Sequence, residues 1–196
     1  SRTSRVAEGV NQLPGTELGW GFWEAATVTP DARVAWADPI FIPPQGDLTT
    51  LALYRFDDPD DPVADQSIYA RHGRQRGRLA ELADGNHALA CDSESWFEPS
   101  GSFCPANSPL TVELWVRPEK PGGTLWGDVG VAMALSLTPE GKPVARRRQS
   151  SDEKRIAAQG EEPVENGKWS HLAGVFDGRS LKLYRNGDLV AQAPCE

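Results

Sequence analysis

Cysteine is scarce in this chain of 196 residues: Cys91, Cys104 and Cys195 are the full set, and they follow no metal-ligand spacing. Three thiols cannot make a disulfide scaffold and admit one bridge at most, which leaves the redox compartment open. Histidine is as scarce, and His72, His87 and His171 lie without a Cys or His neighbour, so no zinc site is expected. No apolar run approaches the roughly 20 residues of a membrane-spanning helix. The opening SRTSRVAEG lacks the apolar centre of a secretion signal and reads as the start of a mature or excised segment. Positive charge is outweighed: 20 Lys and Arg stand against 28 Asp and Glu, for a formal net charge of −8. Such a field repels phosphate backbones and anionic bilayers, so neither nucleic acid nor membrane insertion is expected.

What the chain has in quantity is punctuation, 19 glycines and 16 prolines, together with seven tryptophans. Hydrophobic residues make up 39%, enough for a packed core, and the length suits one generous domain or one domain plus a fragment. Helix formers never run far without interruption, which points to an all-β chain. From Leu51 onward, short β runs alternate with turn signals. LALYRF (51–56) is stopped by the Asp- and Pro-rich DDPDDP (57–62). HALAC (87–91) and SWFEP (95–99) are joined tightly through Asp92, Ser93 and Glu94. In LTVELWV (110–116), Val112, Leu114 and Val116 share one face while Thr111, Glu113 and Trp115 share the other. TLW (124–126) and VGVAMALSL (129–137) follow a PGG turn, and KPVARRRQ with KRIAAQ forms a hairpin around SSDE (150–153). Asp177-Gly178 and Asn186-Gly187 are the strongest hairpin signals, flanking WSHLAGVF (169–176), LKLYR (181–185) and LVAQAP. WSHLAGVF is apolar on both parities, as a central strand covered on both sides should be. The sum is an antiparallel two-sheet sandwich. Before it, GFWEAATV (21–28) reads as a strand, TPDAR (29–33) as a turn or short helix, and IFIPPQGD (40–47) as a stiff extended linker.

The order of these motifs resembles the laminin-G-like jelly roll of the concanavalin A-like lectin/glucanase superfamily, especially its bacterial form. LALYRFDD (51–58), ALACDSESWFEP (88–99), LTVELWVRP (110–118) and WSHLAGVFDGRSLKLYRNGDLVA (169–191) match the family's strand motifs in sequence order. Members normally add two closing strands, whereas here the final motif ends close to Glu196. GFWEAATVTPDAR (21–33) is similar to that closing motif, with Glu24 at its acidic position. The tail of a sandwich therefore stands before its body, residues 1–46 before 47–196. Three arrangements account for it: permuted closing strands of the same sandwich, the end of a preceding tandem repeat, or strands swapped between neighbouring chains. The first is preferred and expects 21–28 to pair with the body.

The resemblance also implies a structural Ca²⁺ near the first strand. On that mapping Asp57, Asp65 and Glu24 converge, although Ile68, Tyr69 and Ala70 replace the glycines usual after the Asp-Ser turn. The same acidic run also reads as a solvated turn. For carbohydrate, an aromatic face is needed against the apolar side of a sugar ring, and Trp126, Trp96 and Trp20 are the candidates, while Trp115 and Trp169 read as structural. His171 reads as a satisfied structural residue. Arg146, Arg147 and Arg148 form the one basic concentration, split between faces by strand alternation, and read as a solvated edge or as an attractor of acidic polysaccharide. Cys91 is expected buried and free, and a Cys104–Cys195 bridge is the one pairing considered. The E-x-D-x-x-E and E-x-D-x-E strings of glycosidases sharing this fold are absent, as are nucleophile-elbow, phosphate-loop and zinc-helix motifs, so no enzyme activity is expected. The expectation is a noncatalytic extracellular or cell-surface module that binds carbohydrate or a protein partner in adhesion. The alternatives are an assembly module built on permuted or swapped strands, and an accessory domain of a secreted glycosidase or lyase.

Overall fold

In the computed structural model the described residues are 46–82, 85–101, 108–127, 133–148 and 155–195, with the backbone of four short strands before them. Those four are β1 (Gly21–Trp23), β2 (Ala26–Val28), β3 (Val34–Trp36) and β4 (Ile40–Ile42). Strands, turns and extended segments make up the described residues, with no helix among them. The chain divides into two compact units, Ser1–Gly101 and Ser102–Glu196, so the N-terminal segment 1–46 falls within the first.

In the first unit β1 pairs with β4 and β2 with β3, both antiparallel. Near neighbours in sequence pair with little loop-closure cost. The ladder expected between 21–28 and the body is not among the described pairings, and 40–42, expected as linker, is a ladder strand. TPDAR (29–33) lies outside the described residues. Next come β5 (Arg74–Arg76), β6 (Arg78–Glu81), β7 (His87–Ala90) and β8 (Trp96–Glu98), with β6 antiparallel to β7 and β5 to β8. This is one ribbon interrupted at 91–95, where Asp92 Oδ1 accepts the Glu94 N–H at 2.9 Å and the Ser95 hydroxyl at 2.8 Å. HALAC and SWFEP are thus joined as expected, yet each pairs with RQRGRLAE (74–81) rather than with the other. LALYRF also departs from expectation: it makes one isolated bridge, Tyr54 to Asp65, instead of a ladder. Phe56 adopts φ +58°, a left-handed conformation that turns the chain out of strand geometry.

A small aromatic cluster packs among the described residues of this unit. Phe97 meets Tyr54 edge-on at 4.6 Å and Phe56 at 5.1 Å between ring centroids. The ring lies so close to the backbone that a Cβ on Gly73 would sit 2.4 Å from Phe97 Cε2. Gly73→Ala should therefore cost about 1–3 kcal/mol through overpacking. The urea midpoint should fall accordingly, and adding Phe97→Leu should restore part of the loss in a double-mutant cycle.

The second unit is a two-sheet sandwich. One sheet orders β10 (Gly123–Trp126), β11 (Met133–Leu137), β12 (Pro143–Arg148) and β13 (Arg155–Gln159). The other runs β16 (Asp188–Pro194), β15 (Ser180–Arg185), β14 (Ser170–Phe176) and β9 (Leu110–Val116). All pairings are antiparallel. Strand alternation sends Met133, Leu135, Ala145 and Ala158 from one sheet against Phe176, Leu181 and Leu183 from the other. Val112 and Leu114 of β9 join them from the expected face. β14 is central and buried on nearly every residue, as its two-parity pattern predicts. At Gly174 the sheets approach so closely that a Cβ would lie 3.1 Å from Leu135 Cδ2 and 3.3 Å from Met133 Sδ.

Both expected turns form. Asp177 Oδ1 accepts the N–H groups of Arg179 (2.9 Å) and Ser180 (2.8 Å), and Lys182 Nζ lies 2.8 Å from Asp177 Oδ2. Asn186 and Gly187 take φ +51° and +89°, as the tight hairpin turn requires. The Asn186 N–H donates to the His171 carbonyl, and Asn186 Oδ1 accepts the His171 N–H, both at 2.9 Å. A side-chain oxygen thus completes a rung between β15 and β14.

Candidate functional site

The acidic loop of the first unit is organised by Asp65, which is 5% exposed. Its Oδ1 accepts the N–H groups of Leu53 and Ser67, both at 2.8 Å. Its Oδ2 accepts the Arg71 N–H at 2.7 Å and the Ser67 hydroxyl at 2.8 Å. The Asp65 N–H donates to His72 Nδ1 at 3.3 Å, which gives that histidine a structural role. The Tyr54 hydroxyl donates to the Arg71 carbonyl, and burial, joined by the charge of Asp65, pushes that hydroxyl up to about 12. Ala70, standing where glycine is usual, accepts a left-handed φ of +47° to close the loop.

This arrangement bears on calcium. The ion takes six to eight oxygen ligands, but both oxygens of Asp65 are spent on protein donors, and Asp57 Oδ1 accepts Gln66 Nε2 at 3.0 Å. As placed, Asp65 has no lone pair left for a calcium ion. Among the described residues no group of three or more His, Cys, Asp or Glu side chains forms a metal-binding cluster. Glu24, the third expected ligand, lies outside them.

Burial alone would raise the Asp65 carboxyl, but the N–H donors of Leu53, Ser67 and Arg71 and the Ser67 hydroxyl outweigh it and hold the group below its ordinary value of 3.8. A depressed carboxylate contributes stability fully above that ordinary value, and loses it as pH falls through the lower folded one. Asp65→Asn should lower stability at neutral pH by about 1–3 kcal/mol, because its amide turns a donor toward donors. It should also flatten the wild-type loss below 3.8, read as unfolding midpoints along the acid limb.

The tryptophan candidates separate. Trp126 is half-buried and packs against the core of the second unit, and Trp20 lies outside the described residues. Trp96 is 45% exposed. Register explains its surroundings: Trp96 stands opposite Arg76 and Glu98 opposite Arg74, so all four side chains share one face of the β5–β8 ladder while Phe97 turns to the other. On that face Arg74 pairs with Glu98 at 2.8 Å, and Arg76 reaches Glu94 at 3.6 Å. An exposed indole is therefore flanked by two guanidinium–carboxylate pairs. Strand propensity alone does not reveal these neighbours, because RQRGRLAE has no apolar alternation, and only its pairing with SWFE brings Arg74 and Arg76 beside the indole.

In the second unit His171 is buried, as expected, with its ring 5.4 Å from Trp115 and Nε2 3.4 Å from Glu113 Oε2. The three consecutive arginines split as strand alternation requires. Arg148 is exposed, Arg146 reaches the Ser136 hydroxyl, and Arg147 is 3% exposed with its guanidinium 3.7 Å from the centroid of Phe176. A basic surface patch is thereby reduced to its outer members. One thiol departs from expectation. Cys91 is exposed rather than buried, because β7 ends at Ala90 and the chain leaves the ladder there. Cys195 is a free thiol packed against the core, and burial pushes that thiol up, while Cys104, its candidate partner, lies outside the described residues.

An all-β antiparallel sandwich is the class these features define. A family model described as the concanavalin A-like lectin/glucanases superfamily, of laminin-G type, matches residues 92–196, and the chain belongs to that family. Among solved structures it is similar to domain 4 of AbnA, a GH43 extracellular arabinanase from Geobacillus stearothermophilus solved with arabinotriose. The two are 22% identical, with TM-score 0.51 over 73% of this chain and 74% of that one. An S-layer domain-containing protein from Clostridium thermocellum is 20% identical, with TM-score 0.42 over 72% and 71% of the two chains. Domains LG4-5 of the mouse laminin alpha1 chain are 21% identical, with TM-score 0.37 over 45% of this chain, which spans 24% of the laminin chain's length. These likenesses concern the fold alone. No curated protein matches the chain.

Proposed function

We propose that the chain is a noncatalytic carbohydrate-recognition module that works outside the cell or at its surface, with the Trp96 face as its platform. The observation that carries this reading is the exposed indole between two Arg–Glu pairs. A sugar ring offers an apolar C–H face to the indole and hydroxyls to the flanking groups, which is the chemistry the face supplies. Membership of a lectin and glucanase superfamily supports it, and the missing acidic string favours the lectin side. No helix among the described residues is long and apolar enough to cross a membrane. A second reading, an accessory domain of a secreted glycosidase, is favoured by the similarity to domain 4 of an extracellular arabinanase. It differs in what lies beside the chain, not in what the chain binds.

On a glycan array the protein should bind neutral oligosaccharides. Titration of the strongest of them should show Trp96→Ala binding at least about tenfold more weakly, with circular dichroism showing the variant still folded, since nearly half of the residue is exposed. Equal binding by the variant would remove Trp96 from the site.

A further inference from the structure

Exposed apolar side chains gather at one place in the first unit. Leu48 is 78% exposed, Ile68 64% and Tyr69 43%, and the three stand on two turns that touch each other. A Cβ on Gly46, at the foot of the first turn, would lie 3.7 Å from Ser67 Cα in the second, and the Tyr69 hydroxyl donates to the Leu48 carbonyl at 3.3 Å. Large apolar side chains grouped on a surface mark an interaction site, whereas the same residues scattered singly do not.

Both turns are closed from within. Asp47 Oδ1 accepts the N–H of Thr49 at 2.8 Å and its hydroxyl at 2.7 Å, and the Asp47 carbonyl accepts the Thr50 N–H at 3.1 Å. In the second turn Asp65 anchors Ser67, whose hydroxyl oxygen accepts the Tyr69 N–H at 3.2 Å and whose carbonyl accepts the Ala70 N–H at 3.3 Å. The bonds that close this second turn use main-chain groups and two polar side chains, so the apolar groups of Ile68 and Tyr69 are not needed to form it. Held on a backbone already fixed, they lose little further freedom when covered. The border is acidic. Asp47 stands beside Leu48, and Asp57 is tied to the second turn through Gln66 Nε2 at 3.0 Å, with Asp58, Asp60 and Asp61 exposed along the run that follows. Against these aspartates stand Arg55, 4.0 Å from Asp57, and Arg71, whose guanidinium covers one face of the Tyr69 ring at 5.2 Å from its centroid. Such a border repels a second copy offering the same patch and an anionic bilayer, and it attracts lysine and arginine.

From this geometry we infer that the face is a docking site for a protein partner, taking a segment whose apolar side chains seat on Leu48, Ile68 and Tyr69 and whose flanking lysines or arginines meet Asp47 and Asp57. The inference goes beyond the carbohydrate reading and does not use Trp96.

The test is selection on the full chain from a displayed random-peptide library, with the recovered peptides synthesised and titrated by fluorescence anisotropy. Peptides that join aliphatic or aromatic residues to lysine or arginine are expected, with binding that weakens as salt is raised. The double variant Leu48→Ser, Ile68→Ser, shown folded by circular dichroism, should bind them at least about tenfold more weakly, as for the loss of two apolar anchors. Ile68→Ser alone gives the same comparison should the pair not fold. Trp96→Ala should bind as the wild type does. A library without binders, peptides without basic residues, or titrations that the serine variants leave unchanged overturn the docking site, and none of these results touches the glycan reading. Loss of peptide binding in Trp96→Ala assigns the peptides to the indole face and overturns it as well. Sedimentation of the chain alone and with phosphatidylcholine vesicles addresses the other occupants: a dimer or a vesicle-bound form that the serine variants abolish overturns the protein-partner assignment.

Discussion

A missing side chain sets the spacing of the sandwich. At Gly174, in the middle of the central strand β14, the opposing sheet brings Leu135, Met133 and Ala145 to distances at which even a methyl group is tight. Protein interiors are packed as densely as organic crystals, so the two sheets cannot part locally without opening voids along their whole contact. The burial of Leu181 and Leu183 from β15, and of Ala158 from β13, depends on that closeness. So does the position of Arg147, whose guanidinium is carried into the interior by strand parity and meets the Phe176 ring at 3.7 Å. A desolvated cation on an aromatic face is worth about 2 kcal/mol or more, and here it turns an otherwise costly burial into a contact between the sheets.

The acidity of the chain has a structural use that differs between the units. Asp47, Asp58, Asp65, Asp92 and Asp177 each accept the N–H two residues downstream, at distances between 2.8 and 2.9 Å. This is aspartate as turn former, satisfying backbone donors that no ladder reaches. In the second unit one such turn supplements an apolar core. In the first, where no hydrophobic side chain among the described residues is fully buried and Tyr54, Phe56 and Phe97 cluster, Asp65 does the work that a partner strand does elsewhere, holding Leu53 and Arg71 together through a side chain.

That contrast explains what was legible in the sequence. β9, β14, β15 and β16 follow from alternation and from the Asp-Gly and Asn-Gly turns, because an apolar face and a tight turn are both local signals. LALYRF carries the same apolar signal and makes only a bridge, since the bond that stops it pairing comes from a carboxylate twelve residues on. RQRGRLAE gives no strand signal, yet it pairs twice, and its register creates the face on which Trp96 stands. The indole was visible in advance as one of several, whereas its guanidinium neighbours belong to a strand that composition conceals. Arg147 and Cys91 show the limits of position alone: strand parity buries the first, and a strand ending one residue earlier exposes the second.

The turn at Asn186 carries a chemical consequence. An asparagine followed by glycine is the pair most prone to lose its side-chain amide through a cyclic imide, since the glycine nitrogen can reach the side-chain carbon unhindered. Reopening of that ring gives aspartate, which keeps the acceptor for His171 and adds a charge, or isoaspartate, which inserts a methylene into the main chain. The second product lengthens the hairpin tip and turns the side-chain oxygen that completes the rung to β14 into a main-chain carbonyl. The residue that fixes the register of the C-terminal hairpin is therefore also the one at which this protein would age.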